Sequence, residues 1–387
     1  MEKFILSIFQ NKKSIAKNFD VNKSKFFAIE LWSNILNIIT KKIGTFFKVL
    51  KKDGFSGIKK IIQFKVLRRH NLNVSWKMRR AWNARKNGQI SPVAFGMSLR
   101  AYRRQKDKKF SKIIKFSILV PLYNTPKDFL QEMIGSVLFQ SYSNWELCLA
   151  DGSDGEHFYV QALCEEFAQE DSRIKYKRLE KNCGISENTN ECLDMATGDY
   201  ISLFDHDDLL HPSALYETMK QICNDGAELV YTDEAIFKSP NLHDITFMYL
   251  KPDFSQTLLE TTNYFCHLLS FKKDLVPEMR FDSNCDGAQD FDVVLRLTEK
   301  TKKISHIQKC LYYWRASPVS TAASSNSKPY TTEAGKRALE RHFRRIGEGA
   351  EVKQTNVPNT YQIFYADKSK KSESAKNAVC KRFERVF

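Results

Sequence analysis

The 387-residue chain reads as an α/β protein, a mostly parallel, doubly wound sheet carrying the chemistry and preceded by a basic helical N-terminal arm. Three observations predict this. From Phe116 onward, short apolar or β-branched runs alternate with stretches whose apolar residues recur every three or four positions, the pattern of strands joined by crossover helices. The runs end in polar loops bearing glycine or acid, and right-handed crossovers gather such loops on one rim of the sheet. Charge is also divided: residues 1–115 hold 29 Lys or Arg against 5 Asp or Glu, the remainder 32 against 40, so the net +16 comes from the arm alone.

The arm (residues 1–112) carries its signal in Leu31, Trp32, Ile35, Leu36, Ile39, Ile43, Phe46, Phe47 and Leu50, a helical stripe with Lys41, Lys42, Lys48, Lys51 and Lys52 on the remainder. Ile58–Arg69 repeats the mixture, and Trp76–Arg104 continues as basic helical sequence. A basic amphipathic helix suits an anionic membrane surface, to which each Lys or Arg adds about 1 kcal/mol at most; the bland alternative is packing on the body. No recognition-helix, RNA-binding or zinc-finger pattern accompanies the charge, so nucleic acid is not expected. The nine cysteines lie singly, without zinc spacing, as reduced thiols do. No run approaches the roughly 18 apolar residues of a spanning helix.

The body is expected over 113–365. Phe116–Val120 is a strand breaking into Pro121-Leu-Tyr-Asn-Thr-Pro126, followed by a helix over Asp128–Phe139. Trp145–Ala150 is a second strand, ending in Asp151-Gly-Ser-Asp154, and Phe158–Phe167 a helix. Ile174–Leu179 is the third strand, after which Asn182–Asn190 opens another helix. Tyr200–Phe204 is a buried strand, followed at once by Asp205, His206, Asp207 and Asp208, with a helix from about Pro212. Leu229–Tyr231 is a strand ending in Asp233-Glu234, Asn263–Phe271 an apolar segment, Phe291–Thr298 a helix and Leu311–Arg315 an aromatic strand. Thr331–Ile346 is a helix before two short strands, Glu351–Gln354 and Thr360–Tyr365. The Lys- and Ser-rich residues 366–387 are expected to lack order.

Chemistry concentrates after Phe204. In strand geometry Asp205 and Asp207 project to one side at a strand's carboxyl end, where open α/β sheets place ligands. Two hard oxygen donors suit Mg²⁺ or Mn²⁺, whose other positions go to water and substrate phosphates. By the same alternation His206 faces away and reads as structural. An ordinary acidic turn capping the next helix is the competing interpretation.

In order along the chain stand Val-Pro-Leu-Tyr-Asn, Leu-Ala-Asp-Gly-Ser-Asp, Asn-x-Gly-Ile-Ser-x-Asn, Phe-Asp-His-Asp-Asp, Gly-Ala-Gln-Asp-Phe-Asp and Tyr-Tyr-Trp-Arg. Between Phe116 and Tyr365 this set resembles the family-2 nucleotide-sugar glycosyltransferases of GT-A fold, and the basic arm resembles that of bacterial cell-surface polysaccharide transferases. The resemblance implies an inverting enzyme that moves rhamnose or a hexose from a UDP- or dTDP-sugar to a growing lipid-linked or cell-surface glycan. It implies a cytoplasmic protein, peripheral at the inner face of the cell membrane. Pro121, Tyr123, Asp151 and Asp154 would border the nucleotide, with Gly184 near the sugar phosphate and Asn188 fixing that loop. Asp205 and Asp207 would hold the cation and Arg315 the diphosphate. Asp290 would be the general base, with Asp292 as a structural neighbour. Relatives commonly carry His where Tyr313 stands, and that His can complete the metal shell, so the cation would rest on Asp207, donor phosphates and water. His267 is read as a core histidine or as a group facing the acceptor cleft. A nucleotidyltransferase or a silent scaffold of the same fold are the rivals. The first lacks its Gly-rich, Lys/Arg-bearing signature, and the second would not need all three of Asp205, Asp207 and Asp290.

Overall fold

The computed structural model describes residues 92–238, 242, 244–275, 279–316 and 329–367. The stripe at Leu31–Leu50, the basic repeat after it and the tail from 368 lie outside them. The end of the arm lies within them and is helical as expected. A 3-10 turn, Pro92–Phe95, precedes α1 (Leu99–Lys106), which Ser98 caps by accepting the N–H of Ala101 at 3.1 Å.

Nine strands form the main sheet. On one side β3 (Ile174–Arg178), β2 (Trp145–Asp151), β1 (Phe116–Leu122) and β4 (Tyr200–Leu203) pair in parallel in that order. The other side runs β8 (Leu269–Lys272), β6 (Leu229–Lys238), β9 (Ile304–Ala316) and β5 (Leu209–Leu210), with β7 (Ile245–Tyr249) beside β6. β8, β7 and β5 oppose the common direction; the other six share it, so the sheet is mostly parallel. Strand alternation feeds two cores. Leu119 of β1 faces α2 (Ile185–Met195), α3 (Gln289–Lys300) and α4 (Pro329–Arg345). Ile118 and Val120 face α5 (Lys127–Leu138), α6 (Tyr159–Glu170) and α7 (Ala214–Asp225). Helices on both faces make the fold doubly wound, as predicted. A separate hairpin, β10 (Ala350–Gln354) with β11 (Tyr361–Tyr365), packs its Val352, Tyr361 and Ile363 into the first of these cores.

Three expectations need correction. β6 does not end at Asp233-Glu234 but runs through both to Lys238, and its register against β9 shifts on either side of Asp233. β9 begins at Ile304, seven residues before the aromatic run that announced it. Asn263–His267 is not strand; pairing starts at Leu269. In each case polar residues that have partners interrupt the apolar pattern.

Candidate active site

The sheet opens where β4 leaves β1. The two strands pair only from Phe116 to Leu119, and Phe204 donates a last N–H to the Leu119 carbonyl. Pro121, which has no N–H to give, lies just beyond, paired with β2 alone. Around this gap the loops interlock. Asn124 exchanges hydrogen bonds with Asp154, Nδ2 to carboxylate at 2.7 Å and N–H to Asn124 Oδ1 at 3.0 Å. Thr125 Oγ1 lies 2.9 Å from His206 Nδ1, so His206 is structural as expected, tying the acidic loop to the β1 loop. Gly152 has no room for a side chain: a Cβ would sit 3.0 Å from Asn182 Cα and from Asn188 Nδ2. Asn188 fixes the next loop as predicted, donating to Asn182 Oδ1 (2.9 Å) and accepting the Cys183 N–H (3.2 Å). Gly184, at φ +92°, begins α2 with Asp286 beside it, where a Cβ would be 3.0 Å from its carboxylate.

The acidic loop departs from expectation. β4 ends at Leu203, so Asp205, His206 and Asp207 sit in a turn and strand alternation does not orient them. Their roles separate by burial. Asp208 is fully buried, accepting the Tyr312 hydroxyl at 2.6 Å and the Arg315 N–H at 2.7 Å; burial, Asp207 and Asp205 push its carboxyl well above the usual range. The Asp205 side chain is 45% exposed, and its Oδ2 lies 3.3 Å from His267 Nε2. The Asp207 carboxylate makes no hydrogen bond or ion pair among the described residues, while its carbonyl accepts from Arg315 Nε. Two open carboxylates at a sheet's carboxyl rim fit a hard divalent cation by their chemistry, although among the described residues no three ligating side chains converge on one point.

Two nucleotide-site assignments are overturned by burial. Arg315 is wholly buried, its guanidinium 2.8 Å from Glu132 and stacked over Phe129 and Phe237, so it braces the acidic loop from behind instead of meeting a diphosphate. Asp151 is wholly buried too, its carboxylate taken by Tyr176 (2.8 Å), Arg178 (2.7 Å) and the Ser153 N–H (2.8 Å); it shapes the loop that bears Asp154. Tyr123 is 47% exposed at the rim. Tyr313 packs on Phe95 and His211, against the β5 side, away from Asp205.

Asp290 occupies the second position of α3, where the helix dipole favours a carboxylate. It accepts from Asn263 Nδ2 at 3.0 Å and lies close enough to Asp205 to raise that group's pKa, after burial and Asp207. Gln289 accepts the Gly287 N–H at 2.9 Å. Asp292 is buried against Arg296 (2.9 Å) and Arg345 (3.5 Å) and is structural. Asn263 at one end of its segment thus holds Asp290, and His267 at the other end meets Asp205.

What sequence reading missed is the scaffold beneath that segment. Glu234, buried, accepts the His267 N–H and lies 3.4 Å from its Nδ1. Lys251, 4% exposed at its side chain, donates to the His267 carbonyl (2.6 Å) and the Phe265 carbonyl (3.1 Å) and lies 3.4 Å from Glu234. Asp233 accepts from the Lys251 N–H (2.9 Å) and pairs with His306 (2.8 Å). Burial opposes charge on His267, but Glu234 and Asp205 raise its pKa to about 9. The only signal in sequence was the acid pair Asp233-Glu234 inside a strand.

Residues 117–266 match the model described as glycosyl transferase family 2. The chain is 42% identical over 257 residues to protein y4gI of Sinorhizobium fredii, covering 64% of this chain and 28% of that protein. It is 31% identical over 252 residues to the O-antigen biosynthesis protein RfbC of Myxococcus xanthus, covering 64% and 19%. It is 25% identical over 221 residues to the minor teichoic acid biosynthesis protein GgaB of Bacillus subtilis, covering 55% and 24%. The matched part therefore spans less than a third of each of these three relatives. The solved S. aureus TarS 1–349 with UDP-GlcNAc overlaps 58% of this chain and 65% of its own at 17% identity and a TM-score of 0.47, a likeness too remote to argue from.

Proposed function

We propose, from the premise that residues 117–266 belong to glycosyl transferase family 2, that the chain moves a sugar from a UDP- or dTDP-linked donor to a lipid-linked or cell-surface glycan by a single displacement. The observation that carries the reading is one segment, Asn263–His267, presenting Asp290 at one end and Asp205 at the other on the open rim. The donor lies across the β1–β4 gap. Tyr123 offers its exposed ring to the base, Pro121 and the Asn124–Asp154 pair border the ribose, and Gly184 allows the backbone close to the sugar phosphate. Asp205 and Asp207 hold Mg²⁺ or Mn²⁺, which when bound offsets negative charge on the departing diphosphate. Asp290 takes the proton of the acceptor hydroxyl as the oxygen attacks the anomeric carbon. Direct attack by the acceptor oxygen, with Asp290 as its base, inverts the configuration. O-antigen and teichoic acid biosynthesis, named for two relatives, support a cell-envelope glycan as acceptor. Release of free nucleoside diphosphate from a panel of nucleotide sugars tests the reading. One donor class should be turned over, and release from none of them would contradict it.

The same reading takes residues 1–112 as a membrane-surface arm and 113–365 as the catalytic domain. Among the described residues no helix is long and apolar enough to cross a membrane. The full chain should bind anionic vesicles in a salt-sensitive manner and a chain beginning near Lys112 should not; equal binding by both would remove the arm's role.

A further inference from the structure

We propose that His267 is a nitrogen ligand of the divalent cation, beside Asp205, and that Glu234 and Lys251 hold it there. The inference rests on the metal-dependent reading above and adds a residue to it. Four observations support it. His267 Nε2 and Asp205 Oδ2 are 3.3 Å apart at the open rim, close to the roughly 3 Å that separates adjacent donors around an ion whose bonds are about 2.1 Å long. Behind the ring, the buried Glu234 carboxylate lies 3.4 Å from Nδ1 and accepts the residue's own backbone N–H, so a carboxylate holds the backbone of His267 and stands close behind its ring. The ring is stacked on Tyr312 at 4.7 Å and 22°, with Trp314 edge-on at 5.7 Å, so it cannot swing away. Finally, Tyr313 faces the opposite side of its strand, which leaves His267 as the described imidazole facing Asp205.

Lys251 belongs to the device. Its ammonium holds the carbonyls of Phe265 and His267 while facing Glu234, so one buried cation sets the backbone that aims the ring and neutralises the carboxylate behind it. The register shift at Asp233 in β6 turns Glu234 toward that ring. An imidazole among oxygens also biases the site: Mn²⁺ should be favoured over Mg²⁺, which prefers oxygen alone.

The test is pulsed electron paramagnetic resonance of the full chain with Mn²⁺ and uridine or thymidine diphosphate. The wild type should show a ¹⁴N coupling on Mn²⁺ that His267→Gln lacks, and free-Mn²⁺ titration should show at least tenfold weaker binding in that variant. Glu234→Gln should keep the coupling and weaken binding less. A wild-type spectrum with bound Mn²⁺ but no nitrogen coupling overturns this assignment and leaves the proposed reaction standing. Absence of any Mn²⁺ binding to the wild type overturns both. The wild-type spectrum decides even if a variant fails to fold.

Discussion

The two halves of the rim are built by different means. On the β1–β3 side, loops are joined chiefly by short polar side chains, Asn124 to Asp154, Asn188 to Asn182 and Thr125 to His206, together with one buried ion pair, Asp151 with Arg178. On the β6–β9 side, the groups that face the rim are aimed by buried charges: Arg315 on Glu132 beneath Asp207, Lys251 and Glu234 beneath His267, His306 on Asp233 beneath those. Under the proposed function, the difference follows from what each half would do. Loops that border a nucleotide need shape, which short side-chain hydrogen bonds supply at about 1 kcal/mol each. Groups that meet a cation must stay put against its pull, and buried ion pairs, costly to break, hold geometry firmly.

The largest effect expected separates chemistry from scaffold. Asp207→Asn, or excess EDTA on the wild type, should abolish sugar transfer, while the variant's unfolding midpoint stays at or above that of the wild type, since its carboxylate has no described partner to lose. Full activity in EDTA would break the metal half of the account. Next comes the scaffold itself. Glu132→Leu alone should cost about 3–5 kcal/mol in chemical denaturation because it removes the carboxylate that faces a buried guanidinium, and adding Arg315→Met should recover most of that; additive losses would mean the pair is not coupled.

Smaller is a pH effect on the same side. His211 stacks by Tyr313, its Nδ1 accepts the Ser213 N–H, and burial holds its pKa down to about 4. The unfolded ring titrates near 6.5, so this contribution is complete above about 6.5. It is lost as the pH falls toward 4, with a slope of at most about 1.36 kcal/mol per pH unit. His342, buried between Glu260 (3.6 Å) and Glu299 (2.6 Å), has the opposite sign: despite burial, its partners raise its pKa, and its stabilisation is lost as the pH rises through that value. Denaturation midpoints from pH 4 to 6.5 should fall less steeply in His211→Gln than in the wild type; parallel curves would refute the assignment. The smallest stability effect should be Asn124→Ala, which lowers the midpoint slightly and weakens nucleotide binding. A large fall in midpoint would erase the contrast between the halves.

The same contrast explains what the sequence revealed. The β1–β4 half was legible because its strands are unbroken apolar runs and its loop residues lie beside the strands they follow: Pro121, Asp154, Gly184, Asn188 and Asp205 all sit on the expected rim. Asp290 was singled out by the motif resemblance, and the structure places it in the first turn of a helix. The other half was not. Thr232, Asp233, Glu234 and His306 are polar residues inside strands, each with a partner far along the chain, so Asp233-Glu234 read as a strand end and the start of β9 gave no signal. Arg315 and Asp151 looked like ligand groups because charge near a motif suggests a ligand; their partners, Glu132 and Arg178, come from other elements and become apparent only in three dimensions.

The central claim is that Asp290 is the base of a single displacement. Its direct test is the turnover of Asp290→Asn, with the donor affinity and the anomeric configuration of the product measured on the same nucleotide sugar. The rate should be roughly 10²–10⁴ lower, donor binding unchanged and the wild-type product inverted. Near-normal turnover in Asp290→Asn, or retention of configuration, would contradict it.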